Sequence, residues 1–153
     1  MAATLTVLCA SCGGGGGGAA PLTAPKGGYA ADKSDPTAVA WFKKHTAVVA
    51  GLGSAPVITS ATSANYSALS AECLSYGDAV TAAKHLPEVP QPSAQALWAY
   101  ALRQLSAGVA FCSAGVAKMD ATDITDAGLE FTEGHQTLAY LIFGTPIPKS
   151  PGA

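Results

Sequence analysis

The sequence predicts an all-α fold, an up-down-up-down four-helix bundle. Apolar residues recur at spacings of three and four in four successive segments. Short breaks rich in glycine and proline separate those segments. No stretch alternates apolar and polar residues long enough to argue a strand, and no internal repeat is present. Alanine, the best helix former, is the commonest residue, which favours closely packed helices.

The first helix is expected to open at Asp35, a good N-cap, with Pro36 suited to the first helical position. It is expected to run to Gly51 and Gly53, with Val39, Phe42 and Val49 as one stripe and Trp41, His45, Val48 and Leu52 beside it. Residues 54–63 read as a connection whose Val57 and Ile58 plug one end of the core. The second helix is expected over 64–86, with Tyr66, Leu69, Cys73, Tyr76, Val80 and Ala83 facing inward. Pro87, Pro90 and Pro92 then force an extended link. The third helix is expected over 93–119, capped by Ser93. Its stripe runs through Trp98, Ala101 or Leu102, Leu105, Val109 and Cys112 to Val116 and Met119. The fourth is expected from a Thr122 or Asp123 cap to Gly144 and Pro146, with Ile124, Gly128, Phe131, His135, Leu138 and Ile142 on one face. The bundle thus occupies 35–146, and 147–153 is a tail.

Charge and motif content exclude several function classes. Eight basic and ten acidic residues leave a net charge of −2, and no basic run offers a footprint for nucleic acid. No apolar run approaches the roughly 20 residues of a membrane span. No serine stands in a Gly-x-Ser-x-Gly elbow, and the glycine run at 13–18 lacks the Lys-Ser/Thr of a phosphate loop. The expectation is a non-enzymatic protein.

The opening stretch, "MAATLTVLCASC", is a short apolar run that ends in small residues and a cysteine. Cys9 and Cys12 form a Cys-x-x-Cys pair, which can mean zinc or redox chemistry. Zinc needs about four ligands and no second close pair follows; a redox pair sits at a helix start beside a strand, and none is visible. The stretch resembles instead the end of a bacterial lipoprotein signal peptide. Ala10, Ser11 and Cys12 match the last three places of the lipobox, and Cys9 holds the place usually given to leucine. The composition suits a GC-rich bacterium such as an actinobacterium. The resemblance implies that residues 1–11 are a signal-peptide remnant and that Cys12 receives the lipid, palmitate among its chains. The protein would be exported and anchored in the membrane at the outer face of the cytoplasmic membrane or in the cell envelope. Residues 13–34 then read as a tether with a reach of about 25 Å.

An exported domain meets an oxidising space, where disulfides persist. One cysteine then leaves with the leader, one carries lipid, and Cys73 and Cys112 remain to pair as a single staple between the second and third helices. A symmetric turn about residue 89 would leave Cys112 about 10 Å beyond the point opposite Cys73, so the pairing needs a staggered link. The alternative is two buried free thiols.

Two constellations remain. His45 and His135 lie beside or within apolar stripes and could hold haem or a metal, or could be hydrogen-bonded core histidines. Glu130 and Glu133 miss the Glu-x-x-His spacing of di-metal bundles. Asp123, Asp126, Glu130 and Glu133 share one helix face, either as a solvated face or as a docking surface for a basic partner. The functional expectation is a binding or accessory lipoprotein that engages an envelope protein. The alternative is a carrier of a small ligand such as haem or a metal ion in the bundle core.

Overall fold

The computed structural model describes residues 35–56, 58 and 66–143. Among these residues every regular element is an α-helix, and Cys73 is joined to Cys112. Cys12, the tether, Val57 and the tail lie outside the described residues. The helices are α1 (Pro36–Lys44), α2 (Thr46–Gly51), α3 (Tyr66–Lys84), α4 (Pro92–Lys118) and α5 (Ala121–Phe143).

The expected single first helix is broken at His45, whose backbone sits at φ −105° and ψ 18°. The cause is local. The Thr46 hydroxyl donates to the carbonyls of Phe42 (3.2 Å) and Lys43 (2.8 Å), competing with the helical ladder. Asp35 caps α1 as expected, its Oδ1 accepting from the Thr37 amide at 2.8 Å. The buried face of α1 is not the expected one. Ala38 and Trp41 point inward, whereas Val39 is 53% exposed. Trp41 sets that rotation, because its ring packs edge-on to Trp98 of α4 with centroids 5.4 Å apart.

α3 runs antiparallel to α4: Cys73 bonds Cys112, and one turn on Gly77 lies against Val109. The stagger comes from the proline-rich link. Its Val89 is buried and donates its amide to Gln95 Oε1 at 2.7 Å, so the link is extended and tied to the first turn of α4. Gln91, extended ahead of Pro92, is the N-cap, in place of the expected Ser93. The first turns of α4 therefore overshoot the end of α3, and Trp41 and Phe42 of α1 cover Trp98 there. The disulfide spans a sequence separation of 39, worth about 4 kcal/mol in the chain-entropy account.

α4 and α5 approach most closely, through glycines. A Cβ on Gly108 would fall 2.5 Å from the Phe131 ring, one on Gly115 2.8 Å from Ile124, and one on Gly134 2.5 Å from Leu105. Residues seven apart on α4 thus meet residues seven apart on α5 in reverse order, an antiparallel knob-and-gap pairing. This contact turns α5. Ala127, Gly134 and Leu141 join Ile124, Phe131 and Leu138 on its buried face, while Gly128, His135 and Ile142 are only half-buried.

α4 ends one residue earlier than expected. Met119, expected at the end of its inward stripe, is 71% exposed and left-handed at φ 55°. The Met119 amide donates to the Val116 carbonyl and the Asp120 amide to the Gly115 carbonyl, a Schellman closure. Asp120 then opens α5, its Oδ1 accepting from the Thr122 amide at 2.8 Å, so the cap is neither Thr122 nor Asp123.

Candidate functional site

A groove of about 740 Å³ lies at the end of the molecule where α4 overshoots α3. One wall is the bent α1–α2 arm, presenting Val39, Phe42 and Val49. The other is the last turns of α5, presenting Leu138, Ile142 and Phe143. Leu52 and Ala94, both buried, also line it. The break at His45 shapes this groove, because α2 departs from the line of α1 and helps to enclose one side. Val39 and Phe143 are exposed large apolar residues on its walls. Five polar residues punctuate the lining: Asp35, Lys43, Thr46, Gln91 and His135.

His135 joins the groove to a buried hydrogen-bond cluster. Its Nε2 lies 2.7 Å from the Leu52 carbonyl oxygen and 2.8 Å from the Tyr76 hydroxyl. The Tyr76 hydroxyl donates to the same carbonyl at 2.9 Å. A carbonyl oxygen only accepts, so Nε2 carries the proton and donates to it. The two lone pairs of the Leu52 oxygen thus receive Nε2–H and O–H, which satisfies a carbonyl left over at the end of α2. Burial holds the His135 imidazole below its ordinary range, with the Leu52 bond opposing, so it is neutral near pH 7. Burial pushes the Tyr76 phenol well above its usual range. This cluster ties α5 and α3 to the turn after α2.

His45 is placed elsewhere. Its ring lies tilted on Trp41 at a centroid distance of 4.7 Å, and its buried Nε2 has no hydrogen-bond partner among the described residues. His45 is not among the groove-lining residues, while the His135 Nε2 is committed to Leu52 and Tyr76. Haem or metal ligation through His135 Nε2 would have to break those bonds. Among the described residues no group of three or more His, Cys, Asp or Glu side chains is placed to hold a metal ion.

The acidic face is partly turned inward. Asp123 pairs with Lys118 at 3.2 Å across the α4–α5 turn. Glu133 accepts a hydrogen bond from the hydroxyl of Tyr100, a fully buried residue of α4. Glu130 is half-buried, and burial, then Glu133 and Asp126, push its carboxyl up. Its Oε2 is buried without a hydrogen-bond partner among the described residues, as is Oε1 of Gln104. Sequence reasoning passed over Tyr100 and Gln104. They stand four apart on α4, and polar residues at helical spacing beside an apolar stripe are the signal that marks a second, polar seam. It also passed over Lys43 as a groove residue, because that assignment requires the bend at His45.

No helix among the described residues is long and apolar enough to cross a membrane. Comparison of the chain with protein-family models, with curated proteins and with solved structures found no match.

Proposed function

We propose that this protein is a non-enzymatic binding module held at a bacterial envelope membrane by a lipid on Cys12, and that its binding element is the apolar groove. The groove carries the reading. Its volume of about 740 Å³ falls in the range of roughly 300–1,000 Å³ typical of ligand pockets, with an apolar lining and few polar groups. Each of three carboxylates on the acidic face is, by contrast, engaged or partly buried within the domain. That favours the groove over the acidic stripe as the contact surface. The expected envelope partner, or the small ligand of the carrier reading, is accordingly placed at the groove. The whole domain reads as an up-down-up-down bundle in which the bent α1–α2 arm stands for the first helix.

Position supports the membrane side of the proposal. Asp35, where the described domain begins, lines the groove. A lipid on Cys12 joined through a tether over 13–34 would hold the domain near the membrane, with the groove beside the point of attachment. Stable anchoring needs more than one acyl chain, as lipoprotein-type modification supplies.

Two variants and one probe test the reading. N-phenyl-1-naphthylamine, an uncharged apolar dye, should bind the purified protein saturably at one site. Ala139 of α5 also lines the groove and is half-buried, and Ala139→Trp, which fills that wall, should abolish the binding. Reversing Asp126, Glu130 and Glu133 to lysine should leave it intact. Loss of dye binding on the lysine reversals with retention in Ala139→Trp would move the site to the acidic face. Cys12→Ser should shift the protein from the detergent phase to the soluble fraction; an unmodified Cys12 in protein from its native envelope would end the anchoring proposal.

A further inference from the structure

We infer that the groove takes one acyl chain of an anionic amphiphile, with the negatively charged head at Lys43. This rests on the groove being the binding element and adds the chemical class of its ligand.

Size is the first argument. A bilayer's hydrocarbon core is about 30 Å thick, so one lipid chain spans about 15 Å. The α1 wall has 9 residues and is therefore about 13.5 Å long at 1.5 Å per residue. A chain of that length can lie against Val39 and Phe42 on one side and Leu138 and Ile142 on the other, all groove-lining.

Charge is the second argument. Lys43 lines the groove, and Lys44 follows it in the last turn of α1. Both are exposed. Neither has a carboxylate within ion-pair distance among the described residues, where Lys118–Asp123 is the ion pair formed. The two cations outweigh the roughly half-unit negative charge of the α1 C-terminus beside them. Asp35, the acidic group of the lining, caps the opposite end of α1, and its Oδ1 is held by the Thr37 amide and hydroxyl. Eight residues of helix separate it from Lys43, about 12 Å. That exceeds the Debye length of about 8 Å at physiological salt, so its repulsion of an anion at Lys43 is largely screened. His135 stays neutral and keeps Nε2 on Leu52, so it adds no competing charge at neutral pH.

The test uses the full chain carrying Cys12→Ser, so that no covalent lipid competes. Laurate, 1-dodecanol and dodecyltrimethylammonium share one tail and differ in the head. Isothermal titration should show laurate binding at one site, about fivefold tighter than the alcohol, which is the upper end for an exposed ion pair. The quaternary ammonium should bind more weakly than either. Lys43→Ala should erase the preference for laurate and leave the alcohol unchanged. Ala139→Trp should abolish all three; Val39→Asp, at a position 53% exposed and so tolerant of change, should abolish laurate and dodecanol binding without threatening the fold. Equal affinity for the three heads would overturn the anionic assignment while leaving the groove as the binding element. Failure of every tail to bind the unsubstituted groove would overturn both.

Discussion

Gly134→Ala and Gly128→Ala place the same methyl group on the same helix and should change stability in opposite directions. Replacing a helical glycine by alanine gains about 1 kcal/mol of helix propensity at either site. At Gly128 the added Cβ would find its nearest neighbours in Ile58 at 3.8 and 3.9 Å, ordinary contact, so the gain survives. At Gly134 the Cβ would fall 2.5 Å from Leu105 Cδ2 and 2.7 Å from Cγ, with the Ala101 carbonyl oxygen at 3.3 Å. Leu105 is fully buried, so displacing it disturbs a packed core. Overpacking of this kind costs about 1–3 kcal/mol. Taking about 2, Gly134→Ala is destabilising by about 1 kcal/mol net and Gly128→Ala stabilising by about 1. The separation, about 2 kcal/mol, corresponds to about 8 °C in Tm for a domain of this size. Thermal and urea unfolding followed by far-ultraviolet circular dichroism measures it. If the two variants shift Tm equally and in the same direction, α4 and α5 do not meet through glycine gaps as described.

Other changes follow from the same geometry. His135 binds a proton less readily in the folded state than in the unfolded state. Its contribution is therefore present above about pH 6.5 and falls away as pH drops through the folded value, and urea midpoints should decline over that window. In His135→Gln that part of the slope should vanish; an unchanged slope would assign it to other groups. Glu130 has the opposite sign, because a carboxyl raised by burial destabilises the fold once ionised. Glu130→Gln should thus raise Tm slightly at pH 7, since solvent screens much of the penalty on a half-buried group, with the benefit gone below about pH 4, where the carboxyl is protonated in both states. Met119→Gly should stabilise by about 1 kcal/mol by relieving a left-handed side-chain conformation. Loss of stability there would mean that the exposed Met119 side chain contributes packing that its position does not suggest.

The all-helical class was legible in the three-and-four spacing, and the staple in the export reading, which left Cys73 and Cys112 as the two cysteines to pair. Cys73, Tyr76, Val80 and Ala83 are buried as their spacing indicates. The first helix was misread because periodicity does not register a single hydroxyl. Thr46 bonds two carbonyls behind it and ends α1, and only that bend creates a groove wall containing Lys43. On α5, Ile124, Phe131 and Leu138 are buried as expected, while Gly128, His135 and Ile142 were each one position off, because hydrophobicity ranks Gly134 as empty whereas a buried close approach needs that absence of a side chain. Gly108 and Gly115, seven apart inside a long helix, carried the clue, since helix-interior glycine is costly without a packing reason. The acidic stripe was visible as charge, but its engagement with Tyr100 depends on the α4–α5 register, which one sequence does not display.

The central claim is that ligand binds between the α1–α2 arm and the end of α5. Methyl-resolved NMR of the full chain carrying Cys12→Ser, titrated with laurate, tests it most directly. The account expects saturable shifts at the groove-lining Val39, Val49, Leu138 and Ile142, with the methyl groups of Leu129 and Thr132 beside the acidic face unmoved. Shifts centred on Leu129 and Thr132, or none at the four groove residues at saturating laurate, would contradict it.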